Sequence, residues 1–186
     1  MKVEPSSIVV RPARADDFAA IAEIYRPAVV DSAISFETEP PDAAQMRQRW
    51  QRLVVLGAPY LVAEAAGVIL AYAYVRPFHE RAAFAWTVEN SIYVAAHAQR
   101  RGVGSTLLGA LIAAASRIGY RQMVAVIAAD AAAGSIELHR AHGFELGGRL
   151  ESVGYKHGRW HDVVYWQRSL GEGDAAAPVP ITGVKA

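Results

Sequence analysis

The sequence of 186 residues predicts an α/β (α+β) fold in which helices flank a mixed, mostly antiparallel sheet. Runs of strand-forming residues such as YLVAEA and VILAYAYVR follow one another with only a short turn between them. Other segments repeat apolar residues at helical spacing. A composition of 53% hydrophobic and 20% charged residues can bury one domain, which we place at residues 1–170, before a disordered tail over residues 171–186.

The N-terminal third predicts one strand and two helices. SIVVRPA is typical of a strand, and ADDFAAIAEIYRPAVV predicts a helix capped by Asp16 or Asp17. Proline lacks a backbone donor, so this helix is expected to end near Pro27. After a polar loop, Asp42 can cap a second helix that Gly57 closes.

The remainder of the chain predicts further strands around two helices. YLVAEA and VILAYAYVR flank a turn at Ala66 and Gly67, and FAWTVENSIYVAA extends the run. Residues 102–118 have the apolar stripe of a third helix. QMVAVIA is a strand of the kind buried on both faces, and GSIELHRAHGF is a short helix that ends at Gly143. The last two strands form a hairpin that turns near Gly158.

Composition and charge exclude several classes of function for this sequence. With 19 basic and 18 acidic residues the formal net charge is +1, so neither nucleic acid nor an anionic membrane is an expected partner. The absence of cysteine excludes disulfides and thiolate chemistry. No apolar run reaches the length of a membrane span, and the N-terminal segment lacks the features of a secretory signal, so we expect a cytoplasmic location. Glu137, His139 and His142 lack the spacing of a zinc site, and no metal is predicted.

The segment AQRRGVGST places a glycine pair at the start of the third helix, where backbone N–H groups and the helix dipole favour an anion. A P-loop would need lysine where Gly104 stands, and a dinucleotide fingerprint would need glycine where Leu107 stands. Residues 99–104, QRRGVG, instead resemble the Q/R-x-x-G-x-G/A loop of the GNAT acetyltransferases.

WTVENSIYV and GYKHGRWHDVVYWQR resemble the phosphinothricin acetyltransferases and their methionine sulfoximine-acetylating relatives, over most of residues 8–169. The resemblance implies the GNAT fold, in which two strands splay apart around the pantetheine arm of acetyl-CoA. It also implies an N-acetyltransferase that uses acetyl-CoA as cosubstrate and acts on the α-amine of a small amino-acid analogue. A homodimer is expected, with the aromatic C-terminal hairpin as its interface.

The same resemblance implies the residues that bind acetyl-CoA. The diphosphate is assigned to Gln99, Arg100, Arg101, Gly102, Val103, Gly104 and Ser105, and the pantetheine arm and thioester to Ile92, Tyr93, Val94 and Ser135. Backbone N–H groups around Tyr93 and Val94 would polarise the thioester carbonyl. The family often has asparagine where this chain has Ala132, which removes one expected contact with the cosubstrate.

The resemblance assigns the catalytic and substrate roles as well. Glu89, in WTVE, is the expected general base, since an amine is mostly protonated near neutral pH. His139 is the expected proton donor to the departing thiolate, the alternative being a helix histidine that faces solvent. Arg81 is expected to bind the acidic end of the substrate, and Phe36 and Tyr155 are further pocket candidates.

Two other functions stay open on the sequence alone. One is acetylation of a protein N-terminus or lysine, and the other is a non-catalytic acyl-CoA sensor. Glu89 counts against a sensor, because such a protein needs no base there.

Overall fold

The computed structural model describes residues 8–130 and 132–181. Seven strands and four helices follow in the order β1 (Val9–Pro12), α1 (Phe18–Val30), α2 (Ala43–Val55), β2 (Tyr60–Ala65), β3 (Val68–Pro77), β4 (Thr87–Val94), α3 (Val103–Ile118), β5 (Gln122–Ala128), α4 (Ala133–Ala141), β6 (Glu145–Lys156) and β7 (Arg159–Ser169). They build one sheet with the strand order β1-β2-β3-β4-β5-β7-β6.

The pairing of β4 with β5 differs from the other pairings in this sheet. Strands β4 and β5 run parallel, whereas the remaining neighbours pair antiparallel. A parallel pair needs a crossover connection, and α3 supplies it. The mixed, mostly antiparallel sheet predicted from the sequence is therefore confirmed.

Helices cover both faces of the sheet. One core packs the apolar stripe of α3, with Leu107, Leu108 and Leu111 fully buried, against β2 to β5. The other packs α1 and α2 on a row of stacked tyrosine rings in β2, β3 and β4, which includes Tyr72 and Tyr93. Alternation along β4 sends Val88 and Asn90 toward the α3 and α4 side, and Glu89 and Tyr93 toward the α1 and α2 side.

Helix α1 differs from its predicted bounds. It continues through Pro27 to Val30, and Asp31 N donates to Pro27 O at 3.0 Å. A proline costs one helical hydrogen bond, and burial of Ala28 and Val29 against the sheet outweighs that loss. The cap of α2 is confirmed, because the Asp42 carboxylate accepts from Gln45 N at 2.8 Å.

The segment after β7 packs along the domain as far as it is described. Trp86 Nε1 donates to Val179 O at 2.8 Å, and Ile181 is buried beside Gly119. Residues 171–181, predicted as part of a disordered tail, therefore make specific contacts, while residues 182–186 lie outside the described chain. Among the residues described, no helix combines the length and apolar character needed to cross a bilayer.

Candidate active site

A cleft opens where β4 and β5 part. The two strands pair only from Thr87 to Asn90 on β4, against residues 122–125 on β5. Beyond that point they diverge, and α4 and the α1–α2 loop (residues 31–42) border the opening. The cleft is lined by Ile34, Asn90, Ser91, Ile92, Tyr93, Ala125, Val126, Ile127, Ala128, Ala132, Ser135 and His139.

Backbone donors on β4 face this cleft. Trp86 O accepts from Arg121 N on the β5 side, whereas Ala95 N donates to Leu70 O on the β3 side. Because these directions alternate along a strand, the N–H groups of Ile92 and Val94 point toward β5. The pairing with β5 has ended there, so these donors face the cleft. The N–H of Tyr93, which was also expected to polarise a carbonyl, points toward β3.

Asn90 stands at the point of divergence. It is 5% exposed, and its Nδ2 donates to Val124 O on β5 at 3.1 Å. Its Oδ1 can only accept, so His139 Nε2 donates to it at 2.9 Å. His139 is 2% exposed, which excludes the alternative of a histidine facing solvent, and burial lowers its pKa below the ordinary value. The two side chains link β4, β5 and α4 at the floor of the cleft.

Glu89 precedes Asn90 on the opposite face of β4. Its side chain is 14% exposed, and both carboxylate oxygens accept from Arg76 Nη2, at 2.8 and 2.9 Å. Burial opposes the charge on Arg76, but the hydrogen bond and charge of Glu89 raise its pKa above the ordinary value. The pair holds the Glu89 carboxylate in one place beside the diverging strands.

The glycine loop forms the N-terminus of α3, as predicted. Gly102 adopts φ +80°, a left-handed conformation, and the helix begins at the next residue, Val103. Gln99 Nε2 donates to Val94 O at 3.2 Å, which fixes the loop against the end of β4. A Cβ on Gly104 would lie 3.4 Å from the side chain of Val94. Free N–H groups of this sixteen-residue helix thus meet the end of β4, an arrangement that suits an anion.

The sequence and fold decide the family of this chain. A family model described as the acetyltransferase (GNAT) domain matches residues 10–165, most of the chain. The chain belongs to the GNAT acetyltransferase family. The enzyme class predicted from the sequence, an acetyltransferase, is thereby confirmed.

Curated relatives and solved structures agree with this assignment. The chain is 44% identical to a phosphinothricin N-acetyltransferase of Alcaligenes faecalis, over 91% of this chain and 86% of the relative. It is 38% identical to the L-methionine sulfoximine/L-methionine sulfone acetyltransferase of Salmonella typhimurium, over 89% and 96% of the two chains.

Two solved GNAT structures are informative for the site. A phosphinothricin acetyltransferase from Sinorhizobium meliloti, in complex with acetyl-CoA, superposes with a TM-score of 0.88 at 41% identity, covering 96% of this chain and 95% of that one. A ribosomal-protein-alanine N-acetyltransferase from Brucella melitensis superposes with a TM-score of 0.84 at 36% identity, covering 87% and 99%.

Most residues that the GNAT resemblance assigned to acetyl-CoA lie around the cleft and the start of α3. Ile92, Tyr93 and Ser135 line the cleft, as does Ala132, which stands at the N-terminus of α4 without a capping side chain. Arg100 and Arg101 are exposed on the glycine loop.

The predicted substrate residues are more scattered. Arg81 is exposed on the β3–β4 loop, at the end of β4 away from the divergence. Phe36 lies on the α1–α2 loop, two residues from Ile34 of the cleft lining, and its ring covers Gly154. Tyr155 is 60% exposed and packs on Trp160 outside the cleft. The described chain does not bring these three side chains together.

Sequence reasoning missed three residues of this GNAT site. Arg76 pairs with Glu89, Asn90 holds His139, and His142 Nε2 lies 2.9 Å from Ser105 Oγ at the start of α3. Asn90 carried a signal, because a neutral amide within the apolar run WTVENSIYV needs a partner. The other two contacts depend on strand register and helix docking. Among the residues described, no group of histidine and acidic side chains is arranged to hold a metal ion.

Proposed function

We propose that this GNAT enzyme transfers an acetyl group from acetyl-CoA to the α-amine of a small, acidic amino-acid analogue of the L-phosphinothricin or L-methionine sulfoximine type. The observation that carries the proposal is the divergence of β4 and β5 beside Glu89, which sets inward-facing N–H groups next to a held carboxylate. The Alcaligenes and Salmonella relatives, named for these two substrates, support the acceptor class.

Acetyl-CoA would lie across the start of α3 and along the cleft. Its diphosphate accepts from the N–H groups of residues 102–105, and its pantetheine arm occupies the gap between β4 and β5. The thioester carbonyl then accepts from the N–H of Val94, which stabilises the negative charge that develops during attack. The likeness to the Sinorhizobium structure, which was solved in complex with acetyl-CoA, supports acetyl-CoA as the cosubstrate.

Direct transfer needs three proton movements, two away from the amine nitrogen and one to the leaving thiolate. Glu89 removes a proton from the substrate ammonium, and the free amine attacks the thioester carbon. The carbon–sulfur bond then breaks, and the CoA thiolate takes a proton from the imidazolium form of His139, whose two ring nitrogens face Ser135 O and Asn90 Oδ1 and whose side chain lines the cleft. The second proton of the attacking nitrogen leaves to solvent, which yields the neutral amide. Arg76 is a positioning residue here, because it holds both oxygens of the Glu89 carboxylate. The products are the N-acetyl amino acid and CoA.

A panel of acceptors assayed for CoA release tests the function. We expect L-phosphinothricin and L-methionine sulfoximine to be turned over with higher kcat/KM than neutral amino acids or short peptides. Acetyl-CoA binding without turnover of any amine would support a sensor and contradict the proposal.

Acetylation of a protein N-terminus is the second candidate. The likeness to the ribosomal-protein-alanine N-acetyltransferase of Brucella melitensis favours it. A peptide with an N-terminal alanine, included in the same panel, distinguishes the two. Preference for that peptide over both amino-acid analogues would replace the first proposal with the second.

Arg81→Ala is expected to lower kcat/KM about tenfold or more for acidic acceptors and much less for neutral ones. The guanidinium is exposed, and only an acidic acceptor would lose a charge-assisted hydrogen bond to it. Steady-state kinetics with both acceptor classes provide the measurement, and Arg117→Ala, which removes an exposed charge from the end of α3, is the control. Equal losses for the two classes would assign Arg81 a structural role.

A homodimer through the C-terminal hairpin remains part of the proposal. The hairpin carries large apolar side chains that are 46% to 60% exposed: Leu146, Leu150, Val153, Tyr155 and Trp160. A surface of this kind is typical of an interface. Leu150→Arg is expected to shift the dimer to monomer in sedimentation velocity, whereas Val55→Arg, at the exposed end of α2, should not. A monomeric parent protein at micromolar concentration would contradict the interface. The cytoplasmic location stays a prediction.

A further inference from the structure

A buried lysine joins the α1–α2 loop to the β6–β7 hairpin. Lys156, the last residue of β6, donates from Nζ to Val29 O at the end of α1 and to Ser35 O in the loop, both at 2.6 Å. The next residue repeats the link, since His157 Nε2 lies 3.2 Å from Ser32 O. The hairpin thus holds the loop through its backbone carbonyls.

The position of Lys156 is unusual for a charged group. The residue is 6% exposed, and its ammonium pairs with no carboxylate among the described residues. Burial lowers the pKa of Lys156 below its ordinary value, and the negative charge of Glu37, which lies nearby without forming an ion pair, partly opposes this shift. A buried ammonium is costly unless hydrogen bonds compensate it, and here the carbonyls of Val29 at the end of α1 and Ser35 in the loop provide that compensation.

Side chains of the β6–β7 hairpin and the α1–α2 loop also pack around Lys156. His161 is 2% exposed and donates from Nε2 to Lys156 O at 3.1 Å, while its Nδ1 lies 3.1 Å from the Asp130 carboxylate. Phe36 packs edge-on against the His161 ring and lies over Gly154, where a Cβ would overlap the phenyl ring. Loop and hairpin therefore pack so closely at this point that no side chain larger than that of glycine fits at position 154 beneath Phe36.

Ser35, whose carbonyl accepts from Lys156, is adjacent to a residue that lines the cleft. Ile34, which lines the cleft, directly precedes Ser35. The hydroxyl of Ser35 lies 2.6 Å from Tyr25 Oη, so the loop is also tied to α1. Ser35 N also donates to Ala28 O at 3.2 Å. Because Ile34 and Ser35 are adjacent, we expect a displacement of Ser35 to move Ile34 relative to β4 and β5.

We propose that Lys156 is a positioning residue for the acceptor, which fixes the α1–α2 loop so that Ile34 borders the cleft. It acts through the loop backbone. The loop borders the cleft from the α1 and α2 side of the sheet, toward which Glu89 points, whereas the glycine loop assigned to acetyl-CoA begins α3 on the other side. Loss of Lys156 would therefore weaken acceptor binding more than acetyl-CoA binding. This inference rests on the proposed function for its kinetic consequence. The position of the loop can be tested without any activity.

Hydrogen exchange and kinetics of Lys156→Met test the proposal. Amide exchange in residues 31–37 is expected to accelerate about tenfold or more, because the charge-assisted bond to Ser35 O is lost together with the bond to Val29 O at the end of α1. The KM for the amino-acid acceptor should rise by a similar factor, while the KM for acetyl-CoA changes less than about twofold. Arg11→Met, which breaks a structural ion pair between β1 and Asp17, is the control for general destabilisation.

Two further variants keep the test decisive if Lys156→Met folds poorly. The chain has no cysteine, so Lys156→Cys alkylated with 2-bromoethylamine in denaturant and refolded restores an ammonium of nearly the same length. The aminoethylated protein should regain the acceptor KM and the slow loop exchange. Gly154→Ala retains the charge but displaces Phe36, and should raise the acceptor KM as well.

The outcomes separate this inference from the proposed function. Loop exchange in Lys156→Met no faster than in Arg11→Met would overturn the positioning role. So would an acetyl-CoA KM that rises as much as the acceptor KM. If the parent protein turned over no amino acid, the proposed function would fail, and the exchange measurement would still decide whether Lys156 holds the loop.

Discussion

Glu89→Gln is expected to lower kcat by about 10² to 10⁴ at neutral pH, because a positioned general base contributes a factor of that order. The substitution keeps the size of the side chain and its capacity to accept from Arg76. Acetyl-CoA affinity should stay close to that of the parent protein, since the assigned contacts of the cosubstrate lie on α3 and the cleft side of β4. Steady-state kinetics and calorimetry measure the two quantities.

The pH profile of Glu89→Gln gives a second, independent readout. Activity of the variant should recover as pH rises, because more of the amine is then free without the help of a base. Glu64→Gln is the matched control, since Glu64 forms a comparable pair with Arg11 at 2.6 Å on β2. Nearly full kcat of Glu89→Gln at neutral pH would show that another group or a water takes the proton.

Gly102→Val is expected to raise the KM for acetyl-CoA about tenfold or more, with a much smaller effect on the acceptor KM. Gly102 adopts φ +80°, which a β-branched residue reaches only with strain of about 1 to 3 kcal/mol. The loop would relax by turning the N–H groups of residues 103–105 away from the diphosphate. Isothermal titration with acetyl-CoA measures the loss directly.

Gly67→Val is the matched control for this substitution. Gly67 has nearly the same φ, +77°, also with open space where a Cβ would lie, and it belongs to the β2–β3 turn. It should lose similar stability in thermal unfolding without a change in acetyl-CoA affinity. Unchanged affinity in a folded Gly102→Val protein would remove the glycine loop from the cosubstrate site.

Local chemistry explains what the sequence could predict. The cap at Asp42 and the glycine loop at Gly102 are encoded by neighbouring residues, and the structure has both where they were expected. The run of α1 past Pro27 was not predictable in this way, because burial of residues distant in sequence outweighs the missing donor.

The site shows the same division between local and long-range information. Glu89 could be proposed from its motif, but its pairing with Arg76 follows from strand register, and the bond between Asn90 and His139 joins residues 49 positions apart. The burial of Lys156 depends on the loop that folds over it, more than 120 residues earlier in the chain. Such long-range contacts cannot be predicted from periodicity or from short motifs.

The parallel pairing of β4 and β5 also has a consequence for folding cooperativity. Since α3 connects the two strands, the cleft between them forms only when β5 has docked beside β4 and the β4–α3–β5 unit is complete. The glycine loop at the start of α3 belongs to that same unit. A ligand that bridges the glycine loop and the cleft would therefore bind only the completed unit, and its binding free energy would add to the stability of the native state as a whole.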